Sequence, residues 1–191
     1  MTKKQLMNSG YARLPNDDYK TIDPRCTYAF LEVFRPMGTI VDVCAPSGSG
    51  IVDTCKALGF NALGIANPWA DFRADWVVTN PPYKPQELVN GIVWRQIERV
   101  MCGEIQGFAS LHRWQFDHAL TRQKFFKKNV FYYGQIKTMF RPKWVTDEQV
   151  EAEGRKKHQP FHPFIWHIWT YENYGSPVIH YSDGSKPELN K

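Results

Sequence analysis

The stretch Asp75-Trp76-Val77-Val78-Thr79-Asn80-Pro81-Pro82-Tyr83 constrains this chain more than any other. Trp76-Val77-Val78 is a short aromatic and β-branched run stopped by two prolines, which predicts a buried strand with an abrupt end. Neither proline has an N–H and both have a fixed φ, so the backbone must leave the sheet there in an extended, rigid form. The Pro81 carbonyl, the Asn80 amide and the Tyr83 ring are thereby held in a fixed relation at the carboxyl end of a strand. Open α/β sheets bind their ligands at such ends. The Asn80 side-chain oxygen and the Pro81 carbonyl are two acceptors suited to a planar amine, with Tyr83 stacked on its ring.

Upstream, Gly38 to Cys44 predicts a buried strand, Ala45-Pro46-Ser47-Gly48-Ser49-Gly50 a turn, and Ile51 to Leu58 a helix stopped by Gly59. Strand, Gly-rich turn and helix form the first unit of a nucleotide-type α/β fold. Asn61 to Ala66 is the next strand, with Ala66 or Asn67 at its end. Only about ten residues separate it from the Asp75 strand, too few for a strand–helix–strand unit, so the sheet is expected to be trimmed at one edge. A helix over 28–34 precedes this unit.

Downstream, Pro85 to Met101 predicts an amphipathic helix with Leu88, Ile92, Ile97, Val100 and Met101 on one face. Glu104 to Leu111 reads as a strand that delivers His112, Arg113 and Trp114 to a carboxyl end. A short helix over 117–126 and a strand over 130–137 follow, then the basic turn Arg141-Pro142-Lys143-Trp144. Thr146-Asp-Glu-Gln149 has the form of a capping box, and Arg155-Lys156-Lys157-His158 of a basic loop. Phe164 to Tyr171 is the strongest strand pattern and is expected to close the sheet antiparallel. One domain is expected over 19–181, with an arm at 1–18 and a tail at 182–191.

The 191 residues carry a net charge of +5, which suits a polyanionic partner. Arg and Lys alternate with rings between 113 and 144, the composition that a nucleic-acid face needs. The cysteines Cys26, Cys44, Cys55 and Cys102 show no Cys-x-x-Cys spacing, so free thiols in a reducing compartment are expected, without a metal site. No apolar run approaches the ~20 residues that span a bilayer, and the first residues lack the apolar stretch of a signal peptide. A cytoplasmic protein with no membrane contact is expected.

Asn80-Pro81-Pro82-Tyr83 is the motif of the amino-methyltransferases, and the chain resembles that family. The order of cofactor loop, acidic/aromatic pair, Asn-Pro-Pro-Tyr, Arg-Pro-Lys-Trp and Trp-rich last strand resembles the small N6-adenine DNA methyltransferases of phages and prophages, over roughly residues 19–172. The resemblance implies a Rossmann-like sheet, mostly parallel with one antiparallel strand, and S-adenosylmethionine as methyl donor. It implies that Asn80, Pro81, Pro82 and Tyr83 hold a flipped adenine. It also implies that Tyr19, Thr21, Asp42, Cys44, Ala45, Pro46, Ser47, Gly48, Asn67, Asp71, Phe72 and Asn80 hold the cofactor. Arg113, Trp114, Arg122, Lys124, Arg141, Lys143, Trp144, Arg155 and Lys156 are the candidates for DNA contact, with RNA an alternative. Two departures stand out: Pro46 takes the place of a glycine, and Ala66 or Asn67 that of the ribose-binding acid. Adenine in RNA, the glutamine amide of a protein, and a nucleic-acid-binding protein with a degenerate cofactor site remain alternatives.

Overall fold

The structure is a computed structural model that describes residues 21–45, 48–127, 129–144, 163–172 and 175–188. Its centre is a seven-stranded sheet of β1 (Thr39–Asp42), β2 (Asn61–Gly64), β3 (Trp76–Thr79), β4 (Gly107–Arg113), β5 (Tyr132–Thr138), β6 (Phe164–Thr170) and β7 (Val178–Ser182). The spatial order is β2-β1-β3-β4-β6-β5-β7. β6 runs antiparallel to both β4 and β5, and the other pairings are parallel. This is a Rossmann-like sheet with one reversed strand. The chain winds outward from β1 to β2 and returns to β3 on the other side, so the crevice lies above the carboxyl ends of β1 and β3.

Helices cover both faces. On one side α1 (Pro24–Val33) and α2 (Gly50–Ala57) bury Phe30, Leu31, Ile51 and Cys55 against Ile40, Trp76, Val78 and Trp166. On the other, α3 (Gln86–Met101) and α4 (Gln123–Phe126) bury Val93, Ile97 and Phe125 against Val41, Val77, Phe108 and Trp169. All seven residues of β6 are buried because the strand is central and covered twice. Two of its tryptophans fasten opposite layers: the Trp166 indole donates to the Cys26 carbonyl at 2.7 Å, and that of Trp169 to the Phe125 carbonyl at 2.9 Å. Gly107 opens β4 because the Trp76 ring occupies its side-chain space, where a Cβ would come within 2.5 Å.

Several boundaries depart from the sequence reading for local reasons. α1 starts at Pro24 rather than Tyr28, since the Asp23 carboxylate accepts from the Arg25 N–H at 3.1 Å and proline suits the first helical position. The helix expected over 117–126 is broken into two single 3-10 turns and α4 by the extended backbone of Ala119. β7 lies partly in the expected tail: Ser182 is buried, its carbonyl accepts from the Met139 N–H at 2.7 Å, and Gly184 packs on Phe140. The edge at β2 is trimmed as expected. Residues 65–75 run from the carboxyl end of β2 down α3 to the amino end of β3, with Trp69 lying over Gly91. The arm at 1–18, the capping box at 146–149 and the basic loop at 155–158 lie outside the described residues.

Candidate active site

One carboxylate organises the crevice. Asp42, at the end of β1, accepts from the Ser49 hydroxyl at 2.6 Å, the Thr79 hydroxyl at 2.6 Å and the Cys44 N–H at 3.0 Å. Ser49 is the N-cap of α2, and its Oγ accepts from the Val52 N–H at 3.3 Å. Thr79 immediately precedes Asn80. The Asp42 side chain thus ties the glycine-rich turn to the strand end that carries the Asn-Pro-Pro-Tyr motif. Burial pushes its carboxyl up, against the lowering effect of the three hydrogen bonds. Expected among the ligand-binding residues, Asp42 is committed to the protein's own donors.

The turn lies next to the segment that precedes α1. A Cβ on Gly50 would stand 1.8 Å from the Thr21 carbonyl oxygen, so only glycine admits this crossing. Thr21 is buried there, and its hydroxyl has no hydrogen-bond partner. Cys44 and Ala45 are half-buried; the Ala45 N–H donates to Ile65 at 2.9 Å, knitting the turn to the end of β2. Gly48 is exposed at φ +75°, with open space where a side chain would be. Tyr19, Pro46 and Ser47 lie outside the described residues.

Asn80 is half-buried, Pro81 buried, and Pro82 and Tyr83 half-buried. The Tyr83 hydroxyl donates to Oδ1 of Asn80 at 2.8 Å. The Arg113 guanidinium stands 5.1 Å from the Tyr83 ring centroid, and its buried Nε has no hydrogen-bond partner. Phe164 meets the Tyr83 ring edge-on at 6.1 Å, and Trp144 packs on Phe164 at 4.7 Å. The N-cap Asp23 reaches the same region, its carboxylate accepting from the Lys143 N–H at 2.9 Å. Burial raises the Asp23 carboxyl, but the bonds from Arg25 and Lys143 hold it below the usual range. Beside Tyr83 opens a cleft of about 680 Å³ lined by Tyr83, Lys84, Pro85, Gln86 and Arg122.

The remaining candidates divide. Arg141 and Lys143 are exposed at the carboxyl end of β5, and Trp114 is exposed with its ring edge-on to His118 at 5.4 Å. Lys124 is exposed with its ammonium 3.7 Å above Trp94. Arg122 is buried instead: Nε donates to Asn90 at 2.8 Å and the guanidinium to the Phe116 carbonyl at 2.7 Å, so it forms a wall of the cleft. Asn67 is exposed, its side-chain oxygen taken by the Trp69 N–H at 3.0 Å. Arg155 and Lys156 lie outside the described residues.

Asp71 and Phe72 are not brought to the crevice. Phe72 lies at the amino ends of β1 and β3, beneath the Arg99 guanidinium at 4.0 Å, in a hollow of about 470 Å³ with Thr39, Asp75 and Glu104. Asp71 is exposed, 3.7 Å from Arg95. With no crossover helix, the short connection has already reached the opposite end of the sheet by residue 72. Sequence reasoning missed Asp23, Thr79 and Phe164 as parts of the site. The Asp23-Pro24 pair was the available signal; Phe164 reaches the site through its register opposite Arg113, which only the folded sheet reveals.

His112, expected near the cleft, is buried: its Nε2 is 2.7 Å from the Ser110 hydroxyl and its ring lies 3.4 Å from that of Phe116. His167 lies nearby, its Nδ1 3.0 Å from the Tyr132 hydroxyl. Burial holds both imidazoles neutral, with His167 lowered to about 3 and His112 well below its usual value. Among the described residues no cluster of His, Cys, Asp and Glu could hold a metal ion, and no helix is long and apolar enough to cross a membrane.

No protein-family model and no curated protein matches the sequence. The chain is similar to a solved structure from Pyrococcus horikoshii described as "a putative RNA methyltransferase", at 13% identity and a TM-score of 0.47, over 77% of this chain and 81% of that one. The strand order and directions alone define the Rossmann-like sheet.

Proposed function

We propose that this chain transfers a methyl group from S-adenosylmethionine to the N6 amine of an adenine extruded from DNA. The observation that carries the reading is the placement of Asn80 and Tyr83 at the crevice, tied to the glycine-rich turn through Asp42 and Thr79. The turn and the Thr21 segment fit the cofactor: Gly48 leaves open space, and the buried Thr21 hydroxyl is still without a partner. Thr21, Cys44, Ala45 and Gly48 would hold it, with Tyr19, Pro46, Ser47 and Asn67 as further candidates. S-adenosylmethionine supplies a methyl group on an already activated sulfonium.

What the chain must supply is position more than acid or base. The lone pair of the exocyclic amine is delocalised into the ring, which makes it a poor nucleophile. Accepting both of its N–H bonds, at the Asn80 side-chain oxygen and the Pro81 carbonyl, draws that pair back onto nitrogen and aims it. The Tyr83 ring stacks on the base, and its hydroxyl yields the Asn80 oxygen when the amine enters. A base within a duplex cannot reach such a pocket unless it is flipped. Exposed Lys84, Lys124, Arg141 and Lys143 favour a polyanion over a protein amide.

Adenine in RNA offers the same amine, so the test compares acceptors directly. Purified protein is incubated with methyl-labelled S-adenosylmethionine and DNA, RNA or glutamine-containing peptides. Label in DNA, lost in Asn80→Ala, supports the proposal. Label confined to RNA or peptide, or no uptake of the cofactor at all, overturns it.

A further inference from the structure

The described residue with the most exposed large apolar side chain lies two residues along the chain from a wall of the cleft. Leu120 is 81% exposed, at the start of the second 3-10 turn in the connection between β4 and α4. Its pedestal is firmly held. Arg122, two residues on, is buried, bonded to Asn90 and to the Phe116 carbonyl, stacked 3.9 Å over the Phe116 ring, and part of the cleft wall with Tyr83. Phe116 packs in turn against His112 and Phe125. The Arg122 N–H closes the turn on the Ala119 carbonyl at 2.9 Å. An apolar side chain held out to water on a rigid turn lies idle in the free protein.

Its surroundings identify an occupant. Of the cations from 113 to 127, Lys124 and Lys127 are exposed and Arg113 is half-buried, against the single carboxylate of Asp117, while Arg122 is buried and bonded inward. Trp114 and His118 add exposed rings. Exposed lysines that flank an apolar tip suit a duplex whose phosphates are gripped while its stack is entered. Extruding a base into the Tyr83 cleft leaves a gap that costs stacking and pairing energy.

We propose that Leu120 is the wedge that enters the duplex and fills the space vacated by the target adenine. This rests on the function proposed above and adds the residue that makes a duplex usable. Leu120 is a positioning residue: it touches the neighbouring base pairs and leaves the reacting amine to Asn80 and Pro81. Single-stranded substrate has no stack to repair and does not need it.

Native genomic DNA and the same DNA after heat denaturation serve as acceptors for the wild type, Leu120→Ala and Leu120→Met. The wedge predicts that Leu120→Ala lowers transfer to native DNA about tenfold or more while changing transfer to denatured DNA less than about twofold, with Leu120→Met restoring most of the loss. Thermal unfolding of the variants should match the wild type, since Leu120 buries little. An equal loss on both forms, or no loss on native DNA, overturns the wedge and leaves the proposed function standing. No transfer by the wild type to either form overturns both.

Discussion

The Tyr83 hydroxyl donates to Oδ1 of Asn80 at 2.8 Å, so the oxygen proposed to accept the substrate amine is already engaged in the free protein. Tyr83→Phe keeps the stacking ring and frees that oxygen. A net hydrogen bond is worth about 1 kcal/mol, so KM for the acceptor should fall up to about fivefold without loss of kcat. Tyr83→Ala removes the ring as well, and stacking worth about 1–3 kcal/mol per base predicts a loss of roughly 5- to 150-fold in kcat/KM. Steady-state kinetics on one acceptor separates the two variants.

Asp42 links two motifs that are far apart in the chain, and its loss should be felt in both. Asp42→Ala leaves the Ser49 and Thr79 hydroxyls without their acceptor. Stranded buried donors predict a destabilisation of about 2–3 kcal/mol in urea unfolding. Cofactor affinity should fall with it, since the turn loses its tether, and calorimetry on the folded variant reads that loss. Asp42→Asn keeps acceptor capacity and should be milder on both counts.

Gly50 admits the Thr21 carbonyl where any other residue would exclude it. Gly50→Ala must push residues 21–22 off the start of α2. Overpacking of this kind costs roughly 1–3 kcal/mol. Cofactor binding should weaken more than acceptor binding, because the displaced segment borders the turn and not the Tyr83 cleft.

The two buried imidazoles make stability depend on pH. In the unfolded chain each histidine gains a proton below about 6.5, whereas in the fold His167 does so only near 3 and His112 well below its usual value. Between those limits the unfolded state binds more protons, so stability falls as pH falls. Each histidine contributes about 1.4 kcal/mol per pH unit in the steep part. Urea midpoints from pH 8 to pH 5 should decline, and His167→Gln should flatten the decline by about one proton.

The sheet was legible wherever short apolar runs ended in glycine or proline. The end of β3 at Pro81-Pro82 and the turn into α2 announced themselves in this way, and the reversed β6 announced itself by its dense aromatic and β-branched run. Helix starts and edges were less visible. α1 begins with an Asp-Pro cap outside its apolar stretch, and β7 has exposed Val178, Ile179 and Tyr181 in place of a hydrophobic alternation. Local signals pointed to Asn80 and Tyr83, which the structure brings together, but not to their supports. Asp42 bonds residues 7 and 37 positions away, and Asp23 bonds a residue 120 positions away. Phe72 was misplaced although the short spacing announced the missing crossover helix: a connection that short has to descend to the amino end of β3, and it carries Phe72 there with it. Arg122 was read as a phosphate contact, although its donors are spent inside the protein.

The central claim is that Asn80 and Pro81 grip an adenine amine at the end of β3. Its most direct test is the N6-methyladenine content, by mass spectrometry, of digested DNA from cells expressing the wild type or Asn80→Ala. The account predicts N6-methyladenine above the host background with the wild type, and background levels with Asn80→Ala present in equal folded amount. Background levels with both, or methylation that survives in Asn80→Ala, would contradict it.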